Sequence, residues 1–216
     1  MNFLKLCQRT QLESGIQGLL TSVSGVNQSS QEFLIIEAVK NAWIDIQTSR
    51  HDFKFRRKEQ ALTIGTATTI YKLDDIFTDS EIFSEWITSG FIYDFTPLRY
   101  IPYDEWVLIE NTTASKPAEF TIKPEDNTIV FNPVDQNYDI TLHYYRSAQE
   151  LENNLDIPIV SSQFHNLIVY ASVLDVSSSS GDLITYQRNA LKFSQLLGTF
   201  YRAYVPHKSI KRSPIA

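Results

Sequence analysis

Apolar residues follow two different periods along this chain. Near both ends they recur at steps of three and four, as on the buried face of a helix, and in the middle they alternate, as along a half-buried strand. Phe3, Leu6, Cys7 and Thr10 share one helical face over residues 3–13, after which Gly15, Gly18 and the tract SVSGVNQSS read as a loop. Ile36, Val39, Trp43 and Ile46, widened by Ile35, Ala38 and Ala42, predict a helix over about 30–50. Ser29-Ser30-Gln31-Glu32 in front of it has the S-x-x-E form of a capping box, which satisfies orphan N–H groups at a helix start.

From residue 53 the period changes. Phe53 and Phe55 alternate with Lys54 and Arg56 as along a strand, and Leu62, Ile64 and Ile70 suggest a second one across Gly65. The stretch 74–96 has no clean period and predicts short pieces or a long connection. Pro102 followed by Tyr103-Asp104-Glu105-Trp106 places a proline and acids in the first turn of a short helix. Phe120 and Ile122 alternate on one strand and Ile129 and Phe131 on another, around the turn Pro124-Glu125-Asp126-Asn127. Tyr138, Ile140, Leu142 and Tyr144 give the strictest alternation in the chain.

The helical period returns after Ser161. Phe164, Leu167, Ile168, Ala171 and Leu174 form an expected buried face, interrupted at 177–181. Asp182 can cap a last helix, whose seam runs through Tyr186, Ala190, Phe193, Leu197, Phe200 and Tyr204 until Pro206 ends it. Antiparallel pairing of these two helices is the simplest way to bury both faces. The predicted fold class is α+β: a helical bundle frame of N-terminal helices plus a C-terminal helical hairpin, with an inserted small antiparallel β-module. The expected division is 1–52 helical, 53–147 β-rich, 148–206 helical and completing the bundle, and 207–216 an extended basic tail. The stretch 138–174 is the joint at which the β-element meets the helical frame.

Composition changes this picture in three places. Thirteen Phe and 11 Tyr stand against seven Gly, a surplus that suits interfaces as well as cores. The single cysteine, Cys7, excludes an intramolecular disulfide and a multi-cysteine metal site, which fits assembly in a reducing cytosol. The net charge of −6 conceals an asymmetry, because HKSIKRSPIA at 207–216 holds three of the 19 basic residues and no acid. The remainder carries 16 basic against 25 acidic residues, a net of −9, which disfavours tight binding to a phosphate backbone. The opening MNFLKLCQRT lacks the apolar run of a signal segment, and no stretch approaches the ~18 apolar residues of a membrane span. A soluble, cytosolic chain is expected.

The candidate chemistry is sparse. His51, His143, His165 and His207 are scattered without metal-ligand spacing, and His143 falls on the polar phase of its strand. His165 reads as a helix-surface or capping residue. No nucleophile elbow or phosphate loop is present; Gly65-Thr66-Ala67 lacks the lysine that such a loop needs. Ser161, His165 and Asp156 can be drawn as a triad, but proximity in sequence does not supply its geometry. The acids Asp74, Asp75, Asp79, Glu81 and Glu85 sit beside turns, as a solvated face does. No catalytic, cofactor-binding or metal-binding residue is assigned, and no enzyme activity is expected. Two basic groups remain. Lys54, Arg56, Arg57 and Lys58 suit salt bridges to an acidic neighbour or to a partner chain. His207, Lys208, Ile210, Lys211 and Arg212 follow the last helix, where a basic tail commonly orders on a partner.

Four blocks in fixed order carry a family resemblance. The first is Asn2-Phe3-Leu4-Lys5-Leu6-Cys7-Gln8-Arg9, continuing to Glu13-Ser14-Gly15-Ile16. The second is Ala42-Trp43-Ile44-Asp45-Ile46-Gln47 with Asp52-Phe53-Lys54-Phe55-Arg56, and the third is Arg99-Tyr100-Ile101-Pro102-Tyr103-Asp104-Glu105-Trp106. The fourth joins Tyr144-Tyr145-Arg146-Ser147, Gln149-Glu150-Leu151, Asp156-Ile157-Pro158 and Phe164-His165-Asn166-Leu167-Ile168-Val169. The ordered set resembles the head–tail adaptor (connector) proteins of tailed bacteriophages and departs from their pattern at 17–28 and in the serine tract. The resemblance implies a structural virion protein of the neck, assembled in the host cytoplasm. It implies a homo-oligomeric ring of about a dozen copies that docks on the portal protein and receives a tail or nozzle protein; the basic segment 207–216 is the hypothesised portal-docking element. Genomic DNA would pass through its channel without sequence-specific binding, with no cofactor and no membrane. Another phage neck or tail-completion protein is the alternative, and a hydrolase or carbohydrate-binding module is the alternative from a different class.

Overall fold

The computed structural model describes residues 1–18, 20–66, 68–78, 83–109 and 113–206. It is an α+β fold whose chain divides into two compact units, Met1–Phe55 with Ala148–Ala216, and Arg56–Ser147.

The first unit is helical. Helix α1 (Phe3–Glu13) starts where the Asn2 side chain accepts from the Lys5 amide and buries Phe3, Leu6, Cys7, Thr10 and Gln11. Helix α2 (Gln31–Thr48) follows. Its N-cap is Ser30, whose side chain accepts from Phe33 N. The expected capping box does not form: the N-cap falls one residue later, and Phe33, which has no acceptor to reach back to the N-cap amide, occupies the third helical position. A one-turn 3-10 helix, Ser162–Phe164, leads into α5 (His165–Ser180), and α6 (Leu183–Tyr204) ends the described chain. The serine tract does not break α5 at Ser177; the helix runs through it to Gly181, whose φ of 75° closes it in the left-handed conformation. Asp182 then caps α6 by accepting from Thr185 N. Helix α5 packs on α1, α2 and α6, so Leu167, Ile168, Val169 and Val173 are all buried, a wider face than the predicted stripe. Around them close Phe3, Leu6, Trp43, Ile46, Phe53, Phe164 and Phe200. Glu13 ties α1 to α6, with Arg9 at 2.8 Å and Lys192 and Arg188 at 3.8 and 3.9 Å.

The second unit is β-rich. Its strands are β1 (Arg57–Ile64), β2 (Ile70–Tyr71), β3 (Phe83–Trp86), β4 (Ile92–Tyr93), β5 (Thr96–Pro97), β6 (Arg99–Tyr100), β7 (Glu119–Ile122), β8 (Ile129–Phe131) and β9 (Tyr138–Arg146), with short helices α3 (Leu73–Ile76) and α4 (Tyr103–Trp106). They form two sheets where a single small one was expected. One has the order β1-β9-β4-β5 with β3 also on β9, and the other the order β2-β8-β7-β6. All pairings are antiparallel except β6 with β7. The predicted 120–131 hairpin is β7 and β8, and Asn127 takes the left-handed φ of 56° at its turn. β9 is the central strand. Tyr138, Ile140, Leu142 and Tyr144 point into a core with Trp86, Phe91, Phe120 and Phe131.

Two expectations here need correction. Residues 53–56 are not strand: Lys54–Arg56 is a 3-10 turn, and the ladder begins with Arg57 opposite Tyr145. Before that point no strand is available to satisfy the backbone groups, so a turn satisfies them locally. In addition, Ile70 does not extend the sheet of Ile64; it pairs with Val130 in the other sheet.

Candidate functional site

The basic cluster is not one surface. Lys54, Arg57 and Lys58 are exposed, whereas Arg56 is only 6% exposed. Its guanidinium donates to the Arg146 carbonyl at 3.0 Å and to the Ser84 hydroxyl at 3.2 Å, bracing β9 and β3. Burial pulls its pKa down, with Glu85 acting in the opposite direction. Among the described residues no carboxylate lies in ion-pairing distance of Lys54, Arg57 or Lys58. Strand β1 has β9 on one side and no described strand on the other, which leaves Arg57, Lys58 and Glu59 on an open edge. Of the second basic group, His207, Lys208, Ile210, Lys211 and Arg212 lie outside the described residues, as do Ala67, Asp79 and Glu81.

Two of the histidines, His143 and His165, are interior, whereas His51 is exposed. His143 is 5% exposed, although it occupies the polar phase of β9, because the turn Thr88–Gly90 covers that face. A Cβ on Gly90 would fall 2.7 Å from His143 Cβ, so only glycine allows this approach. Burial first, and then the Arg57 guanidinium 3.2 Å from Nδ1, push the His143 pKa down. Nδ1 of the neutral ring accepts from Arg57, and Glu59 at 3.6 Å is a neighbour of that ring and not its ion pair. His165 is 2% exposed, a correction to its expected surface position. Its Nε2 contacts the Val160 carbonyl at 3.2 Å and its Nδ1 the amino group of Met1. Burial again lowers its pKa.

The triad drawn from the sequence dissolves on these contacts. Ser161 N donates to the Tyr204 hydroxyl at 2.8 Å, and the Asp156 carboxylate accepts from the amides of Glu152 and Asn153 at 2.7 Å each. These backbone bonds hold the Asp156 pKa below the usual carboxylate range. Among the described residues no three His, Cys, Asp or Glu side chains come together as a metal site. Burial pushes the Cys7 thiol up to about 12, an inert value.

Acid should therefore weaken the fold in two steps. Both histidines have folded pKa values below their unfolded value, so their contribution is complete above about pH 6.5 and is lost as pH falls toward the lower folded values. Asp156 is lowered from a carboxylate value, so its contribution holds above about pH 4 and is lost further down. Unfolding free energies measured from neutral to acid pH should show the first loss in the natural chain. A His143→Gln, His165→Gln double variant should show a flatter profile; equal slopes would contradict this assignment.

What the family blocks build is a pinned loop. Gln47, fully buried on α2, exchanges two bonds with the Gln149 backbone: Nε2 to O at 2.9 Å and Gln149 N to Oε1 at 2.8 Å. The Gln149 side chain in turn accepts from Ile159 N at 3.0 Å and donates to Ile157 O at 2.9 Å. Phe3 N donates to Asp156 O at 2.7 Å. This ordered loop holds Leu155 and Ile157 out to solvent, 78% and 61% exposed.

Other ordered elements do the same. On α6, Leu183, Ile184 and Leu191 are exposed, and Tyr186 of the predicted seam is exposed too. In the β-rich unit Val107-Leu108-Ile109 is an exposed apolar run after α4. The β4–β5 hairpin turns on Asp94 (φ 46°) and Phe95 (φ 60°), both left-handed as a two-residue turn requires. Glycine or asparagine suits such positions; a bulky aromatic there costs of the order of 1–3 kcal/mol. Phe95 is nevertheless 97% exposed, so nothing among the described residues packs on it to offset that cost. Tyr186 apart, which its seam predicted to be buried, no period in the sequence marks these residues, since each sits at a turn or on the outer face of a helix.

Apolar side chains held outward by rigid backbone mark a protein that works in contact with others. The chain belongs to the SU10 adaptor protein family, whose family model matches residues 1–209. It is thus a bacteriophage adaptor, a structural class of virion component that interacts with other virion proteins, and the resemblance carried by the four blocks is borne out. No curated protein matches the chain. Among the described residues no helix is long and apolar enough to cross a membrane.

Proposed function

We propose that this adaptor forms a homo-oligomeric ring in the neck of a tailed phage, docking on the portal and receiving a tail or nozzle protein around the DNA channel. The observation that carries the reading is the set of outward apolar side chains on ordered elements, which a subunit acting alone would leave in water. Leu155 and Ile157, the outer face of α6, and the Phe95 hairpin tip supply apolar anchors for neighbouring chains. Lys54, Arg57 and Lys58, none of which has a carboxylate in ion-pairing distance among the described residues, supply the charged contacts between subunits; Arg56 contributes by bracing β9 and β3. The acidic body suits a channel wall, because like charge lets the duplex slide without sticking. Binding accounts for all of these features, and no reaction is assigned.

In this reading HKSIKRSPIA is the portal-docking element. Deleting 207–216 is expected to abolish docking on purified portal rings while leaving the circular dichroism of the adaptor unchanged. Electron microscopy of the mixture should then show bare portals, where the full chain adds a ring of about a dozen copies. Undiminished docking of the truncated chain would remove the tail from this role.

A further inference from the structure

One groove of the helical unit has a chemistry that the fold itself does not use. It lies among α2, α5 and α6 and encloses about 510 Å³. Its floor is apolar, from Ala42, Leu174, Phe193 and Leu197, and the charged residues lining it are two acids, Asp45 and Asp175. Both are exposed, and among the described residues neither has a basic side chain in ion-pairing distance. An apolar trough flanked by unpaired carboxylates suits a short peptide with apolar and basic side chains.

The chain carries such a peptide next to the groove. Tyr201, in the last turn of α6, lines one end of it. Ten residues follow Pro206, with Lys208, Lys211 and Arg212 as charges, Ile210 among them and no acid. From Tyr201 back to Phe193 the helix rises about 12 Å, while ten extended residues reach about 33 Å. The segment is therefore long enough to reverse after Pro206 and cover the groove. In an extended peptide alternate side chains share one side, so Ile210 can enter the trough with Lys208 and Arg212 on either side of it. Tethering at the rim supplies an effective concentration in the millimolar range, which favours the chain's own tail over one from a second copy.

We infer that in the free subunit residues 207–216 dock into this groove of their own chain, with Ile210 on the apolar floor and the basic side chains against Asp45 and Asp175. A portal must then displace the groove to engage the tail. This consequence rests on the portal-docking reading, but the groove contact itself does not, and its test contains no portal.

The test uses the full chain with a nitroxide attached through Ser213→Cys; Cys7 is fully buried and will not compete for the label. Amide signals of Asp45, Leu174, Asp175 and Leu197 should broaden in the labelled protein. That of Glu32, about 20 Å along α2 from Asp45 and lining a different depression of the same unit, should broaden least. Asp45→Asn with Asp175→Asn should reduce the broadening severalfold at unchanged circular dichroism, as should high salt. Isotope-labelled protein mixed with separately spin-labelled chains should show no broadening. Absent or evenly spread broadening overturns the inference, and broadening confined to the mixed sample overturns it in favour of a second copy's tail.

Discussion

Leu167→Asp should leave the helical unit unfolded. Leu167 is 1% exposed on α5, the helix that packs on α1, α2 and α6. The substitution removes about 1.5–3 kcal/mol of apolar burial and adds a carboxylate with no partner, whose desolvation costs several kcal/mol more. The sum is comparable to the whole stability of a typical domain, about 5–15 kcal/mol. Helical circular dichroism and the thermal transition of this unit should both be lost. Asn166→Asp, one position away and exposed, should change stability by no more than about 0.5 kcal/mol. A native spectrum for Leu167→Asp would mean that α5 is not the centre of the bundle.

The second large effect belongs to the β-rich unit. Phe120 is fully buried, and its ring stacks on Phe91 with centroids 4.2 Å apart and planes 14° from parallel. Tyr100 and Phe131 pack against the same ring at 5.6 and 6.2 Å. The contact joins β7 of one sheet to the segment just before β4 of the other, so Phe120→Ala opens a cavity where the two sheets meet. It should cost about 3–5 kcal/mol. Combining it with Phe91→Ala should recover a coupling of about 0.5–1.5 kcal/mol, as for other aromatic pairs. Denaturant melts of the two single variants and the double one give both numbers. A cost for Phe120→Ala below about 1 kcal/mol would contradict this account of the core.

Much of this was legible in the sequence because it is local. The period of Ile36, Val39, Trp43 and Ile46 is the buried face of α2, and the alternation from Tyr138 to Tyr144 is β9. The pairing of the last two helices followed from the seam and the short connection between them. The mistakes occurred where a distant segment decided the outcome. His143 looks polar along its own strand, yet Gly90 and its turn cover it. Ile70 looks like a continuation of Ile64, yet its hydrogen-bonding partner is Val130. The predicted seam of α6 is fully buried only at Phe200; Tyr186 stays exposed.

By itself, then, the sequence determined the α+β class, the positions of the long helices, the central strand and the family, since periodicity, capping residues and ordered blocks are properties of neighbouring residues. Only the tertiary structure decided that the β-rich unit holds two sheets, that Arg56 is a brace while Lys54, Arg57 and Lys58 remain exposed, and that Phe95, Leu155 and Ile157 point into solvent. The physical reason is that exposure is set by what the rest of the chain leaves uncovered. An apolar residue looks alike in the sequence whether it faces a core or awaits a partner.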